Sequence, residues 1–203
     1  MPIITTDKPM RKRAKADHYP TAYGVCAAAL RLIRTEGVSR ILDPGAGTGV
    51  WGQAARVLWP SAWIIGVELR NVPPNTVYDE WQHRSYKGAQ IGDPVDVVMG
   101  NPPYKSRLPE YFVEHSLDLL RDRRGTLIQL LPITFLAGQG RGGKLWKVAP
   151  PSYVYVMSRR PSFIHSGEKA GNTDATEYAL FIWDLLNPTP EPIIRWFDWE
   201  ASA

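Results

Sequence analysis

The feature that most limits the fold of this 203-residue chain is a regular alternation of short apolar runs with helix-like stretches. In the first half, apolar runs predict strands at residues 38–43, Trp63–Glu68 and residues 95–99, with a helix over residues 50–59. Strands that alternate with helices pair in parallel through right-handed crossovers. The sequence therefore predicts an α/β fold with a mostly parallel sheet covered by helices on both faces.

The second half adds the elements that close this sheet. Two late strands that no obvious helix separates predict an antiparallel edge, and Cys26 is expected to be a small core residue. The predicted helices cover residues 21–34 and 110–120, and the predicted strands cover residues 126–131, Tyr153–Met157 and residues 178–183. A short strand and a helix are expected within residues 71–92, a basic loop at residues 136–149 and a polar connection at residues 158–176.

Composition indicates one folded domain. A hydrophobic content of 44% in 203 residues suits a single compact unit, which we place at residues 17–203 after a flexible basic arm at residues 1–16. No apolar stretch predicts a membrane span or a signal peptide, so a soluble, cytoplasmic protein is expected. With one cysteine and four scattered histidines, neither a disulfide nor a metal site is predicted.

A glycine-rich turn follows the first predicted strand. The segment Asp43-Pro44-Gly45-Ala46-Gly47-Thr48-Gly49 leads into a helix, at the sheet edge where α/β folds bind ligands. Its glycines allow the backbone to approach a ligand closely. The spacing differs from the dinucleotide fingerprint, because Val50 stands where that pattern continues. Glu68 ends the next strand, in the right place to accept hydrogen bonds from both hydroxyls of a ribose.

The tetrapeptide Asn101-Pro102-Pro103-Tyr104 follows the third predicted strand of the sheet. Its prolines stiffen the turn, so that the Asn101 amide and the Pro102 carbonyl can serve as paired acceptors for a planar amino group. Tyr104 offers an aromatic face on which the ring that carries this group can stack. Alone, the tetrapeptide is equally compatible with an ordinary proline turn. Its position after the glycine turn and Glu68 favours an amino-group clamp.

Together these motifs resemble the S-adenosylmethionine-dependent N6-adenine DNA methyltransferases. Segments 160–163 and 177–183 are similar to those of small phage and prophage members that lack a separate target recognition domain. The resemblance implies a three-layer, Rossmann-like class I methyltransferase fold with S-adenosyl-L-methionine as cofactor. It implies that Asn101, Pro102, Pro103 and Tyr104 are catalytic, and that the cofactor contacts Tyr19, Thr21, Asp43, Gly45, Ala46, Gly47, Gly49 and Glu68.

The family mechanism implied is direct, in-line transfer of a methyl group to the exocyclic amino group of an extruded adenine. One departure concerns the acidic residue that the family places near the end of its third strand to contact the cofactor adenine. Residues 83–86 offer no acid, and Asp79, Glu80 and Asp93 are open substitutes. A cysteine-dependent reaction at cytosine is not expected, since Cys26 follows Val25 in a predicted helix.

The expected partner is double- or single-stranded DNA, and a homodimer is compatible with the sequence. A net charge of +4 allows a polyanionic partner, for which Arg11, Arg13, Arg141 and Lys144 are the candidate contacts. The resemblance places the chain in a bacterial host cell and allows a phage origin. Alternatives are methylation of an RNA base or of a protein glutamine amide, or a non-catalytic cofactor-binding regulatory module.

Overall fold

The structure, a computed structural model, describes residues 21–73, 75–161 and 176–201. Eight strands form one sheet in the order β3-β2-β1-β4-β5-β7-β6-β8. The strands are β1 (Arg40–Pro44), β2 (Trp63–Glu68), β3 (Glu80–His83), β4 (Val97–Gly100), β5 (Thr126–Pro132), β6 (Tyr153–Met157), β7 (Tyr178–Asp184) and β8 (Ile193–Phe197). Only β7 runs antiparallel to its neighbours, so the predicted mostly parallel sheet with antiparallel pairing toward one edge is confirmed.

Helices cover both faces of this sheet. The helices are α1 (Tyr23–Leu30), α2 (Val50–Leu58), α3 (Leu108–Leu120), α4 (Gln139–Gly143) and α5 (Leu145–Val148), with 3-10 turns at Tyr86–Gly88 and Ile133–Leu136. The apolar residues of α1 and α2 share one buried cluster, and those of α3 share the other. Consecutive residues of a strand alternate between the clusters, as Ile64 and Ile65 of β2 do. The result is the three-layer α/β architecture that the sequence predicts.

Packing in the sheet centre explains why the strand predictions succeed. Ile41 and Leu42 of β1 are fully buried, one on each face, because helices lie above and below. A strand buried on both faces is an uninterrupted apolar run, which is easy to recognise in a sequence. Cys26 of α1 is also fully buried, which confirms its predicted place in the core. Burial raises the pKa of its thiol well above the usual value.

Several predicted boundaries are wrong. The first helix ends at Leu30 rather than near residue 34. The first strand was predicted to begin at residue 38, but β1 begins at Arg40, because the Asp96 carboxylate accepts hydrogen bonds from the backbone N–H groups of Ser39 and Arg40. The predicted loop at residues 136–149 contains two short helices, α4 and α5. In residues 71–92 the expected strand is present as β3, but the expected helix is a single 3-10 turn.

The sequence did not predict β8, which lies outside β6 and forms one edge of the sheet. The two strands pair in parallel, with Tyr153 beside Ile193 and Met157 beside Phe197. In the part of the chain that the structure describes, no helix has the length and apolar character needed to cross a bilayer. The predicted arm at residues 1–16 and most of the predicted polar connection at residues 158–176 lie outside the described residues.

Candidate active site

The glycine turn lies at the carboxyl end of β1, between β1 and α2. Gly45, Gly47 and Gly49 all have positive φ angles, of 81°, 60° and 85°. Such angles favour glycine, and a Cβ at Gly49 would also lie 2.7 Å from the Asn75 side chain. The N–H groups of Gly45 and Ala46 donate to the Val67 carbonyl at 2.7 and 3.0 Å. The turn is therefore fixed against β2 and leads directly into α2.

Glu68, at the end of β2, is the acidic residue of the site. Its carboxylate is 5% exposed and accepts hydrogen bonds from the Gly47 N–H at 2.8 Å and from the Arg70 N–H at 2.8 Å. The Arg70 guanidinium adds two bonds, at 3.0 and 3.1 Å. Burial disfavours the charged form, but Arg70 and Gly47 outweigh burial, so the pKa of Glu68 lies below its usual value. Glu68 is thus an ionised acceptor at neutral pH.

The Asp43 side chain is buried behind the wall of the site and does not line it. Its side chain is 1% exposed, and its Oδ2 accepts a hydrogen bond from the Tyr78 hydroxyl at 2.6 Å. Burial raises the pKa of Asp43 to about 7, although the Tyr78 bond opposes this shift and the charge of Glu68 adds to it. Asp43 does not line the cavity described below, and its predicted contact with a cofactor stays a prediction. Its carboxylate joins β1 to Tyr78 and to the backbone N–H of Gly52 in α2.

The tetrapeptide begins where β4 ends, next to the glycine turn. The Asn101 Nδ2 donates to the Thr21 hydroxyl oxygen at 3.2 Å, which joins the start of the described chain to the tetrapeptide. The Tyr104 hydroxyl donates to the Asn101 amide oxygen and lies 3.0 Å from the Leu130 carbonyl oxygen. The Tyr104 ring packs against Tyr178, with ring centroids 5.8 Å apart. The side chains of Asn101 and Tyr104 therefore form one hydrogen-bonded unit.

A cavity of about 370 Å³ brings most of these predicted residues together. Thr21, Gly45, Ala46, Gly47, Glu68, Asn101, Pro102 and Pro103 line it. Gly49 and Tyr104 do not line it, because Gly49 caps α2 and Tyr104 turns toward β5 and β7. The cavity is thus continuous from the acidic residue that ends β2 to the amide that follows β4. Tyr19 lies outside the described residues.

The sequence did not predict the aromatic end of this cavity. Tyr86 and Phe112 line it with ring centroids 4.9 Å apart, and the Tyr86 hydroxyl is 3.1 Å from the Ser116 hydroxyl. Arg84 and Ser85 lie at the same end. Tyr86 was recognisable only as one aromatic residue in a segment of uncertain structure, and Phe112 as part of the apolar face of a helix. Their meeting depends on the pairing of β3 with β2.

The three open substitutes for an acid at this end are not in the cavity wall. Asp79 accepts from the Ile64 N–H at 2.7 Å and pairs with Arg56, and Glu80 bonds the Gln82 side chain. Asp93 lies 3.8 Å from Arg40 at the opposite end of β1. Next to Tyr86 in the sequence, Arg84 and Ser85 line the cavity, and neither carries a carboxylate.

Arg141, which the sequence predicts as a polyanion contact, bonds to groups of the protein itself, and its contact with a polyanion stays a prediction. Its Nη1 donates to Glu110 at 2.6 Å, and its Nε donates to the carbonyl oxygens of Phe135 and Ala137 at 2.9 and 3.0 Å. The guanidinium also lies over the Phe135 ring, 4.9 Å from its centroid. Arg141 thus fastens α4 to α3. All three guanidinium nitrogens therefore donate to groups of the protein itself.

Other cations near the tetrapeptide remain available. Lys105 follows Tyr104 directly, Arg107 lies two residues further along the chain, and both are exposed. Lys105 lines the cavity that contains Glu68 and Asn101, whereas Arg107 and Lys144 line a second cavity of about 310 Å³. Among the described residues, none of the three side chains forms an ion pair. The role predicted for Lys144 stays a prediction, and Arg11 and Arg13 lie outside the described residues.

Comparison with solved structures identifies the fold. A protein described as the modification subunit of a type I restriction enzyme from Vibrio vulnificus superposes with a TM-score of 0.61 at 16% identity, over 85% of this chain and 45% of that one. The plantazolicin methyltransferase BpumL, solved with SAH, gives 0.52 at 11% identity over 80% and 83%. A protein described as an O-methyltransferase from Agrobacterium tumefaciens gives 0.51 at 16% identity over 87% and 86%.

These likenesses are at the level of architecture. Each of the three proteins shares fewer than one residue in five with this chain, so they establish a Rossmann-like fold of the kind that methyltransferases have and leave the function open. The chain spans less than half the length of the Vibrio subunit. No family model matches the sequence, and no curated protein matches it.

Proposed function

We propose that this chain is an S-adenosyl-L-methionine-dependent methyltransferase that methylates the exocyclic N6 amino group of adenine in DNA. The observation that carries this proposal is the position of Asn101, Pro102 and Pro103 in the wall of the cavity that also contains Glu68. A group held by Glu68 and the glycine turn therefore has an acceptor-bearing loop beside it. This is the juxtaposition that methyl transfer to an amino nitrogen requires.

The residues present fit the cofactor. The ionised, nearly buried Glu68 suits the two hydroxyls of a ribose, and the glycine turn offers backbone without side chains for close approach. At the other end, the Tyr86 and Phe112 rings form an apolar wall suited to a purine. When bound, the cofactor supplies an electrophilic methyl group on a sulfonium. All of the remaining chemistry belongs to positioning and hydrogen bonding by the protein.

The role of Asn101 and Pro102 follows from the electronic structure of the acceptor. The lone pair of an adenine amino group is delocalised into the ring, which makes this nitrogen a poor nucleophile. Two acceptors, the Asn101 amide oxygen and the Pro102 carbonyl oxygen, can bind its two hydrogens and favour a tetrahedral nitrogen. Preorganised acceptors of this kind, together with proximity, account for several kcal/mol of rate enhancement, on the order of 7 or more at best. This mechanism requires neither a metal ion nor a covalent intermediate.

Charge near the tetrapeptide supports DNA as the acceptor. Lys105, Arg107 and Lys144 are exposed and lie around the two cavities, the second of which Glu110 and Glu114 also line. Phosphates that flank an extruded base would meet these cations. The chain as a whole carries a net charge of +4. An RNA base or a protein glutamine amide presents the same pair of hydrogens, so the acceptor must be tested directly. A non-catalytic cofactor-binding module would keep the cavity and lose the transfer.

The test is transfer of a labelled methyl group from S-adenosyl-L-methionine to DNA, RNA and protein fractions. Two variants accompany the native protein: Asn101→Ala, which removes the amide, and Asn71→Ala, a matched change at an exposed asparagine outside the cavity. We expect label in DNA with the native protein and with Asn71→Ala, and a loss of about 100-fold or more with Asn101→Ala. Label confined to RNA or protein would overturn the choice of acceptor. Cofactor binding without any transfer would overturn the enzymatic assignment.

A further inference from the structure

The outer edge of the sheet at β8 carries the most apolar exposed strand of the described chain. Ile194 is 53% exposed and Trp196 is 78% exposed, whereas large apolar side chains in the central strands are buried. Both lie on the α3 face, beside Val154 and Val156 of β6. No strand among residues 21–73, 75–161 and 176–201 pairs with this edge. Exposed apolar edge strands promote association, and proteins usually protect them with charge or proline.

The backbone of β8 offers hydrogen bonds to a further strand. The Ile193 N–H donates to the Ser152 carbonyl at 3.0 Å, and the Phe197 carbonyl accepts from the Ser158 N–H at 2.9 Å, so both residues face β6. Backbone groups alternate in direction along a strand. The N–H and C=O groups of Ile194 and Trp196 therefore point away from β6. They can complete a second ladder.

We propose that β8 pairs antiparallel with β8 of a second copy of this chain, which joins two sheets into one of sixteen strands. The pairing that satisfies all four outward groups places Ile194 opposite Trp196 of the second copy, and Trp196 opposite its Ile194. Each copy then contributes the same patch, as a two-fold interface requires. Four backbone hydrogen bonds and two contacts between an aromatic and a β-branched side chain result, and such contacts favour strand pairing.

The residue on the two-fold axis is compatible with this register. Arg195 faces Arg195 of the second copy, and like charges that oppose each other directly are unfavourable. The Arg195 guanidinium, however, lies over the Tyr153 ring of its own chain, 5.9 Å from the ring centroid. Tyr153 belongs to β6, so the charge leans away from the axis. In a parallel pair each residue bonds the two residues that flank its neighbour, so the two copies could not use the same groups, whereas the antiparallel pair gives both copies the same bonds.

The small area of the edge predicts a weak and reversible dimer. Trp196 and Ile194 from both copies, with five residues of backbone each, cover less than the roughly 1,200 Å² at which standard interfaces begin. A dimer of this size dissociates as the protein is diluted. The proposal is independent of the enzymatic function, because neither Ile194 nor Trp196 lines the cavity that contains Glu68 and Asn101.

Sedimentation equilibrium of the full chain, from roughly 1 to roughly 100 μM, tests the proposal. We expect the native protein to change from monomer to dimer over this range. Ile194→Pro removes one outward N–H without touching the bonds to β6, and Trp196→Lys adds a charge at the edge. Both should shift dimerisation to at least tenfold higher concentration. Val57→Lys, a matched change at a residue 74% exposed on α2, should leave it unaltered.

A disulfide test checks the register and does not depend on the stability of these variants. Residues that face each other outside the hydrogen-bonded pairs lie about 4.5 Å apart between Cα atoms, within the range that a disulfide spans. R195C should therefore form a covalent dimer on mild oxidation, and I193C should form far less. The native Cys26 is fully buried and does not interfere. A monomer at all concentrations, or a dimer that Ile194→Pro and Trp196→Lys leave intact, would overturn the proposal.

Discussion

The Tyr104 hydroxyl donates a hydrogen bond to the Asn101 amide oxygen, the same oxygen that methyl transfer to an amino group needs as an acceptor. This hydroxyl also lies 3.0 Å from the Leu130 carbonyl oxygen, to which it can donate instead. A tyrosine hydroxyl has a single proton, so it can serve one of these acceptors fully at a time. An arriving amino group would displace Tyr104 from Asn101. The tyrosine ring would then be available to stack on the base.

The first prediction separates the hydroxyl of Tyr104 from its ring. Tyr104→Phe keeps the stacking surface and removes the competing donor, so we expect kcat/KM for methyl transfer to change by less than about tenfold. Tyr104→Ala removes the ring, and stacking is worth about 1–3 kcal/mol per base, which corresponds to roughly 5- to 150-fold. Steady-state kinetics on DNA measures both. A loss for Tyr104→Phe as large as that for Asn101→Ala would mean that the hydroxyl itself takes part in the reaction.

The second prediction concerns the competition between Arg70 and a ribose for Glu68. A carboxylate has about four acceptor positions, and Gly47 and Arg70 fill all four in this structure. Ribose hydroxyls must therefore displace the Arg70 guanidinium. We expect Glu68→Ala to weaken cofactor binding by roughly 10- to 100-fold, and Arg70→Ala to bind the cofactor at least as tightly as the native protein. Calorimetric titration decides; equal weakening in both variants would show that Arg70 is required.

The third prediction is a pH dependence of stability due to Asp43. Its pKa is about 7 in the folded chain and about 4 when unfolded, so the folded state holds the extra proton between these values. The stabilisation from this group is complete below pH 4 and is lost as the pH rises to 7. Relative to Asp43→Asn, which keeps an acceptor for Tyr78, the native protein should lose roughly 4 kcal/mol of unfolding free energy over that range. Urea unfolding at several pH values measures this difference. If the unfolding free energies of the two proteins changed with pH in parallel, the prediction would be contradicted.

The fourth prediction distinguishes a structural arginine from a cation that binds phosphate. Arg141→Ala should lower the thermal midpoint, because Glu110 and two backbone carbonyls lose their donor, while the salt dependence of DNA binding is unchanged. Lys105→Ala should leave the thermal midpoint unchanged and reduce the slope of log affinity against log salt concentration by about 1. Lys87→Ala, at an exposed lysine outside both cavities, is the matched control. A reduced slope of log affinity against log salt for Arg141→Ala would show that Arg141 contacts DNA.

Sequence patterns predicted the strands that the core buries and missed the exposed edge strand β8. The strands β2 and β6 have the predicted bounds, and the helix predicted for residues 50–59 is present as Val50–Leu58. These elements are apolar on the faces that the core covers, so local pattern and tertiary burial agree. By contrast, β8 has four exposed residues in five and follows a proline-rich segment, so no burial pattern marks it. Its strand conformation comes from pairing with β6.

The site shows the same division. Glu68 ends β2, and the glycine turn and Asn101 directly follow β1 and β4. Because the carboxyl ends of parallel strands meet at one edge of a sheet, the proximity of these residues could be predicted. Arg141 could not be interpreted from sequence, since its role depends on Glu110, a residue 31 positions away on another helix. The partner of Asp43 could not be predicted for a related reason. Its carboxylate is turned toward Tyr78, which belongs to a segment whose structure the sequence left uncertain.

The measurement that tests the central claim most directly is identification of the methylated nucleoside. DNA incubated with the protein and labelled S-adenosyl-L-methionine is digested to nucleosides, which are separated and identified by mass spectrometry. We expect label in N6-methyldeoxyadenosine with the native protein and about 100-fold less or none with Asn101→Ala. Label in a methylated cytosine, or unmodified DNA in the presence of a protein that binds the cofactor, would contradict it.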